Sequence, residues 1–172
     1  MDIREILIDG ISQLDDWMEE AIAPLTVEQL NFLPDGKTTS IGFNAWHYYR
    51  TADNITNFVL QRKDTIWMAR DYMTKMELPK VAQGTGMGME DARAVKISDP
   101  GVLKEYGALV MADVLAYIKA TPEDELTPIQ MIKPLGEMPR WRVIRQVLMT
   151  HGFMHLGEIN AIRGTLGLQF SI

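Results

Sequence analysis

Only three histidines occur in the 172 residues, at positions 47, 151 and 155. His151 and His155 stand four apart, so on a helix they share one face, a turn from each other. Neutral imidazole is the commonest metal ligand near physiological pH. A distant histidine plus an H-x-x-x-H pair can hold one divalent ion and leave a position open for chemistry. The chain has no cysteine. Thiolate ligands and disulfides are therefore excluded, and nitrogen and oxygen ligands remain. Three imidazoles suit zinc, nickel, iron or cobalt, with geometry and availability deciding among them.

Helices must bring these residues together. Ile3, Ile6, Leu7, Ile11, Leu14, Trp17 and Met18 recur at three- and four-residue steps and predict an amphipathic helix over about 2–21. Thr26-Val-Glu-Gln29 has capping-box spacing and opens a short turn of helix before Pro34. A second long helix is expected from about Ser40 to Arg62. There Asn44, His47, Thr51, Asn54, Ile55 and Phe58 share a half-polar face. Pro79, Gly84, Gly86 and Gly88 interrupt the stretch from about 63 to 98. Ser98-Asp-Pro100 starts a third helix that reaches about Ala120. Thr121 to Asp124 resembles another capped turn, and Pro128, Pro134, Gly136 and Pro139 read as a linker. The last helix runs from Pro139 or Arg140 to about Gly164–Gly167, with both histidines on the stripe of Ile144, Val147, Leu148, Ile159 and Ile162. Four long helices without a strand pattern predict an all-α four-helix bundle in one domain spanning 1–172. The connection of about 35 residues between helices two and three can travel the bundle's length, which favours up-down-down-up order.

Glu158 follows His155 by three residues and is the best candidate for a general base. It can equally be a fourth ligand, an acceptor that orients a histidine ring, or half of a salt bridge at the bundle edge. Asn44, Asp53 and Asn54 are weaker outer-layer candidates, with Asp53 off the shared face. Arg142 and Arg145, with Arg140, cluster at the start of the last helix. They either pair with acids of the chain or capture carboxylates of a thiol cofactor or substrate. Gly84-Thr-Gly-Met-Gly88 lacks the Lys-Ser/Thr ending of a phosphate loop and reads as a flexible linker or a lid. Twelve methionines, several between Met68 and Met89, suit core packing or an apolar substrate pocket. A di-iron bundle would need Glu-x-x-His on two helices, and these are missing.

The segment Ile41-Gly-Phe-Asn-Ala-Trp-His47, followed much later by His151-Gly-Phe-Met-His155-Leu-Gly-Glu158-Ile159, resembles the DinB-like superfamily of metal-binding helix bundles. The likeness spans nearly the whole chain. It implies that His47, His151 and His155 bind one divalent metal, most often nickel or zinc. Glu158 stands where the family often has glutamine. Some relatives transfer low-molecular-weight thiols such as bacillithiol or mycothiol to electrophiles, and others are called metal-dependent hydrolases. The resemblance thus implies a thiol transferase acting on a small-molecule substrate, a hydrolase using metal-bound water, or a non-catalytic metal-binding protein. It also implies a homodimer.

The remaining composition closes other routes. The chain is 47% apolar and 23% charged, ordinary for a globular protein. Its net charge of −6 and lack of a basic tract give nucleic-acid binding no support. Asp2, Arg4, Glu5 and Asp9 break any signal-peptide core in the first ten residues, and no run reaches membrane-span length. A cytoplasmic protein without membrane or nucleic-acid partners is expected.

Overall fold

The computed structural model describes residues 2–36 and 38–171, which are mostly helical with one small sheet. Helix α1 (Ile3–Ile22) begins at Asp2, whose carboxylate accepts from the Arg4 amide at 2.9 Å. Its buried stripe is Leu7, Ile11, Leu14 and Met18, at steps of three and four. Ile6 lies about 100° off that stripe and is 49% exposed, so it is not part of the core face that its hydrophobicity suggests. Helix α2 (Val27–Leu30) carries the expected capping box between Thr26 and Gln29.

Helix α3 (Ile41–Asp53) starts at Ser40, whose hydroxyl accepts from the Phe43 amide at 3.0 Å. It runs directly into a π-helical stretch, Asn54–Leu60. All thirteen residues of α3 are buried, its polar ones included. A half-polar helix can be buried all round only if its polar groups find partners. The crossover that follows supplies many of them. It contains α4 (Ile66–Ala69), α5 (Tyr72–Lys75) and α6 (Met89–Ala94). Helix α7 (Pro100–Ala120) is capped by Asp99, with proline at its first position. The turn beyond it, Glu123–Leu126, has no side-chain cap, because the Thr121 hydroxyl donates back to the Tyr117 carbonyl.

The segment read as a linker is instead a hairpin. Strands β1 (Ile129–Ile132) and β2 (Gly136–Pro139) pair antiparallel, with Ile129 opposite Pro139 and Ile132 opposite Gly136. Four-residue strands are too short to show a two-residue period, and the prolines mask the remaining signal. The all-α expectation is corrected accordingly. A final rod combines α8 (Arg140–Val143), a π-helical stretch (Ile144–Thr150) and α9 (His151–Thr165). Both α1 and α3 pack against α7 and α9. The core includes Trp46, Trp67, Tyr72 and Tyr106. Among the described residues no helix is long and apolar enough to cross a membrane.

Candidate metal centre

The two long rods meet where Gly152 replaces a side chain. A Cβ there would overlap Leu14 of α1 and the Tyr48 ring of α3. The missing methyl lets α9 approach α3 closely, and the neighbours of Gly152 and Tyr48 are His151 and His47. One ring nitrogen from each of His47, His151 and His155 lies within 4.8 Å of the others. Nε2 of His151 is 2.9 Å from Nε2 of His155. Two nitrogens each about 2.0–2.1 Å from one ion, at tetrahedral or octahedral angles, lie about 2.9–3.4 Å apart. The pair therefore already has ligand spacing.

Hydrogen bonds assign the ring protons. Nδ1–H of His155 donates to Oε2 of Glu158 at 2.8 Å and also faces Oδ1 of Asn44 at 3.2 Å. Nδ1–H of His47 donates to the Gln83 carbonyl. Both rings consequently present an Nε2 lone pair, the usual outcome when an acceptor holds the far nitrogen. Nε2 of His151 faces Nε2 of His155 where ligation would put a cation. Nδ1 of His151 is buried without a hydrogen-bond partner among the described residues. The donor set fits a divalent ion.

Burial pushes His151 down to about 4, with His155 and His47 adding repulsion. Burial also lowers His47, against a smaller opposing effect of the Gln83 carbonyl. Both rings are neutral at pH 7 and need lose no excess proton to bind metal. Between pH 6.5 and about 4 the unfolded chain binds more protons than the folded one, so these rings destabilise the metal-free fold as pH falls through that window. The hydrogen bond from His155 holds the Glu158 carboxyl below its ordinary range.

Glu158 touches the edge of His155 opposite the ligand nitrogen. Glu158→Ala is expected to weaken metal binding by about 10-fold or more, with Glu158→Gln recovering most of it because the amide oxygen still accepts. Competition titration against a chelator measures both.

The crossover closes over the histidines. Gly84 has φ +92°, and a Cβ there would overlap the His47 ring. Gly84 of the glycine segment thus lies against the His47 ring. An alanine at this φ is strained and must displace the loop that carries the Gln83 carbonyl. Gly84→Ala should weaken metal binding about 10-fold while lowering Tm by only a few degrees, read by titration and by calorimetry.

The other candidates separate. Asn44 reaches His155, whereas Asp53 faces away from the histidines and is fully buried among crossover groups. Beside the centre lies a cavity of about 1140 Å³ whose lining includes His151, Gln83, Asn54 and Arg145. Arg142 is exposed and does not line it. Both π-helical stretches line it, one through Asn54, Ile55, Phe58 and Val59 and the other through Arg145, Gln146, Val147 and Thr150.

The family model of the DinB superfamily matches residues 12–159, a range that contains the three histidines and Glu158. The chain belongs to the DinB superfamily. A crystal structure of a conserved protein from Enterococcus faecalis is similar over 97% of this chain and 99% of that one, with a TM-score of 0.84 and 21% identity. At that identity the likeness speaks for the fold. No curated protein matches the chain. This DinB-superfamily chain thus combines the family's helical fold with three histidines able to hold a metal ion.

Proposed function

We propose that the protein transfers a low-molecular-weight thiol to an electrophilic small molecule, with one zinc or nickel ion held by His47, His151 and His155. The reading takes its long rods as an up-down-down-up bundle, supported by the long crossover and by the packing of α1 and α3 against both other rods. A bound divalent ion with three neutral ligands would supply a full positive charge that stabilises a thiolate at neutral pH.

The observation that carries the proposal is the engagement of Glu158. Its carboxylate accepts from the His155 edge that faces away from the ligand nitrogens. From there it orients the ring and raises its basicity. No carboxylate joins the three histidines in the cluster of candidate ligands among the described residues. Hydrolysis wants a general base beside the attacking water, whereas a thiol already ionised needs none. Gln83 and Asn44 fix the other ring contacts, so the chain's own contribution is a pre-oriented, neutral ligand set.

The test is turnover of 1-chloro-2,4-dinitrobenzene with a panel of small thiols, in metal-loaded wild type and His151→Ala. Thiol-dependent turnover that falls by about 100-fold or more in the variant, about 2.7 kcal/mol of barrier, is expected. Equal rates in the two proteins, or wild-type turnover without thiol, would overturn the proposal.

A further inference from the structure

The chain has 23 acidic residues against 17 basic ones, yet among the described residues no aspartate or glutamate lines the cavity beside the histidines. Arg62, Lys133 and Arg145 do. They come from three different places: just beyond the C-cap of the first π-helical stretch, the hairpin turn and the second π-helical stretch. None has an ion-pair partner among the described residues. Arg62 holds φ 60°, a left-handed conformation in which glycine or asparagine is the usual helix-ending residue. An arginine there accepts backbone strain in a residue that lines the cavity.

The remaining wall is apolar or neutral. Phe58, Met131, Leu135 and Met154 line it and are between 49% and 63% exposed, which is unusual for four large apolar side chains in one place. The volume of about 1140 Å³ suits a small molecule of some length. His151 and Gln83 place the metal centre at one part of the same wall.

We infer that this cavity binds an amphiphilic anion, a small molecule with an apolar body and a carboxylate or phosphate head held by Arg62, Lys133 and Arg145. The apolar body covers Phe58, Met131, Leu135 and Met154. The cations set specificity, since an unpaired charge-assisted bond is lost when the ligand is neutral. The inference rests on the proposed thiol transfer only in making this molecule the substrate.

The test uses a matched pair of fluorescent probes, 1-anilinonaphthalene-8-sulfonate and its neutral parent N-phenyl-1-naphthylamine. The wild type should bind the sulfonate at least about 10-fold more tightly than the parent. The double variant Lys133→Gln, Arg145→Gln should lose about that factor for the sulfonate and keep the parent's affinity within about twofold, showing that the cavity is intact. Displacement by decanoate and by decyl phosphate, but not by decanol, is expected, and the stronger competitor names the head group. Equal affinity for the two probes, or a sulfonate affinity untouched by the double variant, would overturn the inference. Either result alongside normal metal content and thiol-dependent turnover would leave the proposed reaction standing, so the two failures are distinguishable.

Discussion

Asp53→Ala is expected to lower the free energy of unfolding by about 3–5 kcal/mol, the cost of breaking a buried charge cluster from one side. The Asp53 carboxylate is fully buried. It accepts from the backbone amides of Ile66 and Trp67, each at 2.9 Å, from the Tyr106 hydroxyl at 2.8 Å and from Nδ2 of Asn57 at 3.0 Å. Arg50 lies 3.8 Å away and stacks its guanidinium on the Trp67 ring. Alanine leaves all of these donors in the core without their acceptor, and unsatisfied buried donors each cost about 1–3 kcal/mol. Asn keeps one acceptor oxygen and should cost less. Urea denaturation monitored by circular dichroism gives the value, and a loss under about 1 kcal/mol would remove Asp53 from its place as a hub.

The consequence reaches the metal centre. Asp53 ties α3 to the start of α4, and Nε1 of Trp67 donates to the Lys80 carbonyl at 3.0 Å. Nε of Arg50 donates to the Ala82 carbonyl at 3.4 Å, and the next residue is Gln83, the partner of His47. One run of crossover backbone is thus fastened to α3 from Asp53 to His47. Loosening it should also weaken metal binding, through the ring orientation of His47.

The second large effect is expected from the ligands themselves. His155→Ala should weaken metal binding by more than about 1000-fold, beyond the 10–100-fold cost of losing an outer partner. In the wild type, metal at about 1000 times its Kd should stabilise the fold by about 4 kcal/mol, roughly a 10 °C rise in Tm for a chain of this size. The variant should show no such rise. Scanning calorimetry with and without zinc or nickel reads both. A rise of the same size in His155→Ala would place the metal elsewhere.

Much of this was legible in the residues, and for physical reasons. Scarcity and a four-residue spacing mark His151 and His155, and capping chemistry marks the starts of α2 and α7. What stayed hidden has no side-chain signature. The Gln83 carbonyl is a backbone acceptor, identical in every residue, so nothing in its sequence announces a role beside His47. The π-helical stretches change the hydrogen-bond step from i→i−4 to i→i−5, and a wheel drawn at 3.6 residues loses phase across them. Arg142 and Arg145, three apart and nominally on one face, separate at that boundary: Arg145 lines the cavity and Arg142 is exposed. Asp53 is off the histidine face, as its spacing from His47 implies, but its partners Ile66, Trp67 and Tyr106 lie 13 to 53 residues away, beyond any local pattern. The hairpin was hidden by strands too short to declare their period.

The measurement that bears most directly on the central claim is a crystal structure of the metal-loaded protein, with data collected on both sides of the metal's absorption edge. One anomalous peak is predicted, within about 2.0–2.2 Å of a ring nitrogen from each of His47, His151 and His155. Nδ1 of His155 should still face Glu158. A fully loaded protein with its ion bound elsewhere, or with the three rings too far apart to share one, would contradict the account.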